Sequence, residues 1–447
     1  MPESVDQTVE FKRPSDQAKS WTLRDTGFLI LLMVLGLGLR LWNVTNPAEQ
    51  YFDEIYYVEA GQKLWAGEPD PNSVHPPLGK WMIALGIEGS KAVLGPDVNE
   101  MFSWRIASVL AGTLMVGAVY CFGLMLFNHN RIAAGAAALV IATEHLHLSM
   151  TRIAMLDPFL ALFCLVGAWW SFAYFMGGHE RWGVLGAFSL GLATGCKWSG
   201  LLTAFGCFLA VLYLDYNRRQ GDFGVEYDYD FTRSQRYFFW LLLLIPLGFF
   251  LTYFHLFRLE GLELDTFKKI FSQGDRMVRF RYNAEEFTHN YKSQFWEWPL
   301  VLRPIWLYYK QNAGQVIGVC SLGVWTTWWA FTALLIVRTI RSFVHREDFV
   351  TGALILLWLG QWLPWCISTT GGFFYYMLPE IPIMALMLGK WFSDLYRPDD
   401  VLGEERWRAW LLAAAYLLGF LLYYPFAAGL TVENSYFRAL FFLPEWI

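Results

Sequence analysis

Charge is what this sequence has least of. Only 16% of its 447 residues are Asp, Glu, Lys or Arg, against about 25% in ordinary soluble domains. The mean hydropathy is +0.32, and a soluble globular class is excluded. Cysteine is sparse as well. Cys121, Cys164, Cys196, Cys207, Cys320 and Cys366 all fall in or beside apolar stretches, without CxxC or Cys/His spacing. They read as small buried hydrophobes, not as a disulfide framework or a zinc site. A cleavable leader is not expected, because the first residues are polar and the first apolar run continues too long. No short-period repeat and no soluble domain stands out. A net charge of −5 spread over short loops names no partner, and nothing points to nucleic acid.

What is present is a series of apolar runs of roughly 17–25 residues, the length needed to cross about 30 Å of hydrocarbon as helix. With them come 23 Trp, 22 Tyr and 37 Phe, suited to interfacial belts and to stacking on sugars. The expected fold is all-α: a polytopic integral membrane protein of about eleven spans. Lys12, Arg13, Lys19 and Arg24 place a tail (1–25) in the cytoplasm by the positive-inside rule. The transmembrane domain covers 26–428, with outer loops at 43–101 and 258–315, and an extracytoplasmic tail at 429–447. Within the first outer loop, residues 78–91 carry apolar positions at helical spacing and are expected to lie along the interface. The basic loops holding Arg218, Arg219, Arg233 and Arg236, and Arg338 to Arg346, then all fall on one side.

Ionisable residues at span ends cost about 2.5–3.5 kcal/mol each on insertion scales. Here they collect on the outer side: Arg40, Asp53, Glu54, His75, Lys80, Arg105, Glu144, His145, His147, Arg152, Asp157 and Lys197. One such arginine alone would be read as snorkelling; the cluster points to a site. Adjacent Asp53 and Glu54 cannot face the same way in helix or strand. One is expected to face the reacting centre and the other to hold a cation such as Arg40. Arg40, Arg105 and Lys197 suit a phosphate or pyrophosphate group. Glu144-His145-Leu146-His147 fits one helical face poorly as a ligand set, so hydrogen-bonded histidines are expected there. No metal site or cofactor is assigned, and a divalent metal stays open.

Phe52-Asp53-Glu54 followed by His75-Pro76-Pro77-Leu78-Gly79-Lys80 resembles the first outer loop of the protein O-mannosyltransferases, glycosyltransferase family 39 of GT-C fold. Lys197-Trp198-Ser199-Gly200 resembles a second family signature. A third is His289-Asn290-Tyr291-Lys292-Ser293 with Trp296, Trp298-Pro299 and Arg303-Pro304. The resemblance implies transfer of mannose, with inversion, from a dolichyl-phosphate-like polyprenyl-phosphate donor to Ser/Thr hydroxyls of translocated polypeptides. It implies Asp53 as general base with Glu54 beside it, and Arg105, Arg40 and Lys197 at the donor phosphate. His75, Lys80, Arg152, Asp157, His289, Tyr291, Trp296 and Arg303 then shape the loops and the substrate surface. The MIR β-trefoil of eukaryotic members has no counterpart in 258–315, which resembles the compact bacterial form. A bacterial plasma membrane, an extracytoplasmic active site and proximity to the translocation machinery follow; no feature names an oligomer. The competing readings are a GT-C transferase moving another lipid-linked sugar, such as aminoarabinose, to a lipid, and a secondary transporter. His75 to Lys80 and His289 to Ser293 favour the first reading over these. A transporter would show Gly/Pro-broken helices in internal repeats.

Overall fold

The computed structural model describes residues 21–219, 232–282, 289–346, 348–368, 370–396 and 406–446. Most of the expected N-terminal tail, the centre of the basic loop around residue 225 and the mixed-charge loop after residue 396 lie outside them. In chain order the helices are α1 (Leu23–Leu41), α2 (Glu54–Trp65), α3 (Leu78–Leu94), α4 (Glu100–Leu126), α5 (Arg131–Thr143), α6 (His145–Met150), α7 (Asp157–Phe175) and α8 (Glu180–Cys196). Then follow α9 (Gly200–Arg219), α10 (Thr232–Leu251), α11 (Phe254–Glu260), α12 (Leu264–Tyr282), α13 (Trp325–Phe343), α14 (Phe349–Trp362), α15 (Ile381–Tyr396), α16 (Arg406–Ala428) and α17 (Asn434–Leu440).

Most of the apolar stretches are occupied by α-helix. Among the described residues, six are long and apolar enough by themselves to cross a membrane: α4, α7, α9, α10, α16 and the run Phe349–Ile367 that extends α14. This is an integral membrane protein. Polar side chains set the helix starts, as expected where four backbone N–H groups lack intrahelical partners. Asn99 accepts from Phe102 N at α4, and Asn130 from Ile132 N and Ala133 N at α5. Between helices, where lipid offers no hydrophobic contrast, small residues let backbones approach. Ala133, Ala134, Ala137 and Ala138 of α5 are buried, and α5 packs on α15.

The fold is not purely helical. Strands β1 (Ile305–Asn312), β2 (Gln315–Ser321) and β3 (Thr431–Glu433) form an antiparallel sheet in the order β1-β2-β3. Ile305 pairs with Ser321 and Asn312 with Gln315, with an irregularity between Trp306 and Tyr308. The stretch expected as a polar loop, 258–315, therefore holds α11, α12 and β1. The apolar residues after 315 begin as β2, because Val316, Val319 and Cys320 bury one hairpin. The expected C-terminal tail is built in: β3 extends the sheet, and Phe437, Phe441 and Trp446 are buried against Trp306. Trp446 Nε1 donates to Val301 O at 2.9 Å, and Trp306 Nε1 donates to Trp446 O at 2.8 Å.

Candidate active site

Asp53 and Glu54 lie at the N-cap and first residue of α2. The residue before them, Phe52, has φ of +53°, a left-handed backbone that is uncommon for a bulky residue. Its ring meets Tyr375 edge-on at 5.8 Å. That turn sends the two acids opposite ways, as the sequence requires, but the partner is not Arg40. Glu54 is fully buried. Arg105 Nε donates to Glu54 Oε1 at 2.9 Å and Arg105 NH2 to Oε2 at 3.0 Å. Ala154 N donates to the same Oε1 at 2.9 Å. Glu54 thus ties the segment between α1 and α3 to α4 and to the turn before α7.

Arg105 spends its other donors on Val44 O, Pro47 O and Glu49 O. A guanidinium has five N–H donors, and all are engaged. Arg40 is similar: it donates to Thr151 Oγ1, Gly36 O, Ala142 O, Ile141 O and His147 Nδ1. Both are buried. Both forks are closed here on protein oxygens and an imidazole, an arrangement that holds the surrounding loops together. Arg152 donates to Leu39 O, Arg40 O, Ala427 O and Ala428 O. It caps the carbonyl ends of α1 and α16, where a cation is favoured.

Asp53 is different. Among the described residues, its side chain makes one hydrogen bond, accepted from Tyr57 Oη at 3.3 Å. Burial pushes its carboxyl up to about 6; Lys197 works against that shift, Asp157 adds to it, and Tyr57 works against it. Lys197 closes α8 and donates to Asp157 Oδ2 at 2.7 Å. Its ammonium also stands 5.5 Å from the Tyr375 ring and 5.8 Å from the Tyr376 ring. Ammonium carries three donors, so Lys197 keeps capacity that Arg40 and Arg105 lack. In its signature Gly200 is required sterically: a Cβ there would meet Thr194 N at 2.5 Å.

His75 meets the Tyr57 ring at 6.1 Å, and burial holds its imidazole well below the usual range, with Lys197 and Lys80 adding to that. Lys80 is buried and donates to Asp70 Oδ2 at 2.6 Å, His75 O at 2.9 Å and Asn72 O. It fixes residues 70–75 as a folded bracket. Gly79 sits so close to Leu156 that a Cβ would lie 2.8 Å from its Cδ2. The bracket is thereby pinned to the Asp157 turn.

The segment from His289 to Arg303 forms the next wall. Ser293 and Gly372 exchange backbone bonds of 2.9 and 2.8 Å, and Trp298 Nε1 donates to Ser293 Oγ at 2.9 Å. His289 packs on Phe373 and Tyr291, at 5.1 and 5.6 Å. Arg303 donates to Asn290 O. Trp296 is 53% exposed. Tyr57, Tyr375 and Tyr376 are the side chains that sequence reasoning missed. Tyr375 and Tyr376 lay inside an expected span, but the turn there runs Phe374–Glu380 as 3-10 helix. The available signal was the Gly371-Gly372 pair ahead of the doublet.

Glu144, His145 and His147 are held by protein groups. Glu144 accepts from His147 N and Trp328 Nε1, and both His145 ring nitrogens lie 3.0 Å from carbonyl oxygens of Leu322 and Tyr423. Among the described residues no group of three or more His, Cys, Asp or Glu is arranged to hold a metal.

The model of the dolichyl-phosphate-mannose-protein mannosyltransferase family matches residues 30–259. The chain belongs to this family. That stretch contains Asp53, Glu54, Arg105, Asp157 and Lys197. Polyprenol-phosphate-mannose–protein mannosyltransferase of Mycobacterium tuberculosis is 25% identical, over 97% of this chain and 93% of that protein. The Corynebacterium glutamicum protein of the same name is 24% identical, over 97% and 96%. The fold matches the Saccharomyces cerevisiae Pmt1-Pmt2 complex bound to its sugar donor, with a TM-score of 0.77 at 14% identity, covering 96% of this chain and 93% of that one. ArnT of Cupriavidus metallidurans bound to undecaprenyl phosphate matches with a TM-score of 0.54 at 16% identity, over 92% and 70%. The chain thus has the GT-C fold of these structural neighbours.

Proposed function

We propose that this membrane enzyme transfers mannose from a polyprenyl-phosphate carrier to Ser or Thr hydroxyls of polypeptides, with Asp53 as the base. The observation that carries the residue assignment is the contrast between neighbours. Glu54 is saturated by Arg105 and Ala154 N, whereas half-buried Asp53 has, among the described residues, a tyrosine hydroxyl as its carboxylate's hydrogen-bond partner. A carboxyl titrating near 6 is ionised at neutral pH and basic enough to take a hydroxyl proton in the transition state.

As the acceptor oxygen attacks the anomeric carbon, its proton passes to Asp53 and the sugar–phosphate bond breaks. The polyprenyl phosphate leaves with the bonding electrons. Attack opposite the phosphate inverts the sugar centre. Phosphate needs little protonation on leaving, so one base suffices. Lys197 is the cation placed to meet the developing phosphate charge, in a site walled by Tyr57, Tyr375 and Tyr376 where such charge is poorly screened. Asp157 orients it. The active site faces the extracytoplasmic side of a bacterial plasma membrane, where polypeptides emerge from the translocation machinery.

Purified protein with labelled polyprenyl-phosphate mannose and a Ser/Thr-rich peptide tests this reading. Mannosylated peptide is expected from the wild type and not from Asp53→Asn. Transfer to lipid alone would overturn it.

A further inference from the structure

Helix α12 has three faces, and only two are accounted for. Thr266, Ile270 and Met277 are buried, packing with α11 against the aromatic cluster of Tyr253, Leu256 and their neighbours. A second face holds charges that are already paired in water: Lys268 with Asp265, Lys269 with Glu260, and Arg279 with Asp275. Between the two lie Leu264, Phe271 and Val278, 71%, 64% and 48% exposed. Residues seven apart return to nearly the same side of a helix, so these three form one apolar stripe.

That stripe continues an exposed apolar surface on a helix long and apolar enough to cross a membrane. Phe239, Leu243, Leu247 and Leu251 form an exposed row on α10, the apolar helix that leads into this segment. Phe250, at the end of α10, touches Phe267 at 5.5 Å and Phe271 at 5.7 Å. The buried side of α12 meets the site: Trp198 Nε1 donates to Met277 Sδ at 3.0 Å, and Trp198 stacks edge-on against Phe249 at 5.6 Å. Trp198 follows Lys197 directly in the chain.

We propose that α12 lies in the membrane interface with the Leu264–Phe271–Val278 stripe in the acyl region, forming the lipid-side wall of the Lys197–Trp198 turn. The occupant of the stripe is hydrocarbon, not anionic headgroups, because Leu264, Phe271 and Val278 are apolar and the nearby Lys268, Lys269 and Arg279 are each paired with a carboxylate of the helix or its flank. A helix with one apolar and one charged face settles in this way.

The test uses the full chain, with Cys366→Ser, in phosphatidylcholine vesicles. Nitroxide labels are placed one at a time on cysteines replacing Leu264, Phe271 and Val278, and for contrast Lys268, Ser272 and Arg276. The stripe should collide with oxygen and exclude a nickel chelate, and the contrast positions should do the reverse. Adding phosphatidylglycerol should change neither. Nickel access at the stripe would make α12 a wet loop, and protection from both reagents would make it a protein contact, such as one with a second copy; either overturns the proposal. The wall itself is read by Phe271→Glu, and this arm rests on the donor assignment above. It should raise KM several-fold for a long polyprenyl-phosphate mannose and leave a short-tailed analogue unchanged. Equal KM values for both donors would remove the wall and leave the seating intact. Absence of transfer even in the wild type would instead overturn the transferase reading.

Discussion

Arg105 and Glu54 form a fully buried two-point ion pair, with N–O distances of 2.9 and 3.0 Å, while Asp53, one residue earlier, accepts a hydrogen bond from Tyr57 Oη. Two adjacent acids are thereby given opposite chemistry by their surroundings. Such a pair is strongly destabilised by loss of one member, typically by about 3–5 kcal/mol, because the remaining charge stays buried.

The first prediction separates the acids. Asp53→Asn should lower the transfer rate by about 10²–10⁴-fold with an unchanged melting temperature and intact donor binding. Glu54→Gln should lower the melting temperature, and turnover with it. Unfolding curves and single-turnover transfer on both variants check this; matching behaviour of the two would defeat the division of labour.

Arg105→Ala should behave as a folding lesion. It strips the anchors of Val44 O, Pro47 O, Glu49 O and Glu54 together. Expression and thermal stability should fall, whereas KM for the donor in the surviving folded fraction should stay near wild type. A stable variant with a selectively raised donor KM would return Arg105 to the phosphate. Lys197→Met should raise donor KM, since its ammonium retains donors beyond Asp157.

The third prediction concerns pH. The base must be ionised, so log(kcat/KM) should fall with unit slope as pH drops below about 6. The Tyr57 hydroxyl donates to the carboxylate and favours its charged form. Its loss in Tyr57→Phe should move the acid limb to higher pH. A limb that stays in place would show that Asp53 is not the titrating group.

The fourth concerns sides of the membrane. With Cys366 replaced, a cysteine at Asn312, exposed on β1, should react in intact cells with an impermeant maleimide. One at His345, exposed after α13, should react only after permeabilisation. The reverse pattern would invert the topology.

Several properties were legible in the sequence because they depend on local composition and spacing. Apolar run length marks membrane helices, although the apolar stretch after residue 315 begins as strand β2 and the one at Tyr375 as a 3-10 turn. The Asp53-Glu54 doublet had to split, since neighbouring side chains diverge in any regular backbone. The motifs at His75–Lys80, Lys197–Gly200 and His289–Ser293 marked the family before any contact was visible. Tertiary structure decided what those residues touch. A guanidinium at a span end looks the same in sequence whether it faces a phosphate or five protein acceptors; only the approach of α5, α6, Glu54 and the 44–49 turn closed the forks of Arg40 and Arg105. The sheet was hidden because the apolar side chains of β2 are as hydrophobic as a membrane segment, and period alone cannot separate a short buried strand from the start of a helix. Tyr375 and Tyr376 became part of the site because Gly372 pairs with Ser293 across 79 positions of chain, a contact that no local pattern encodes.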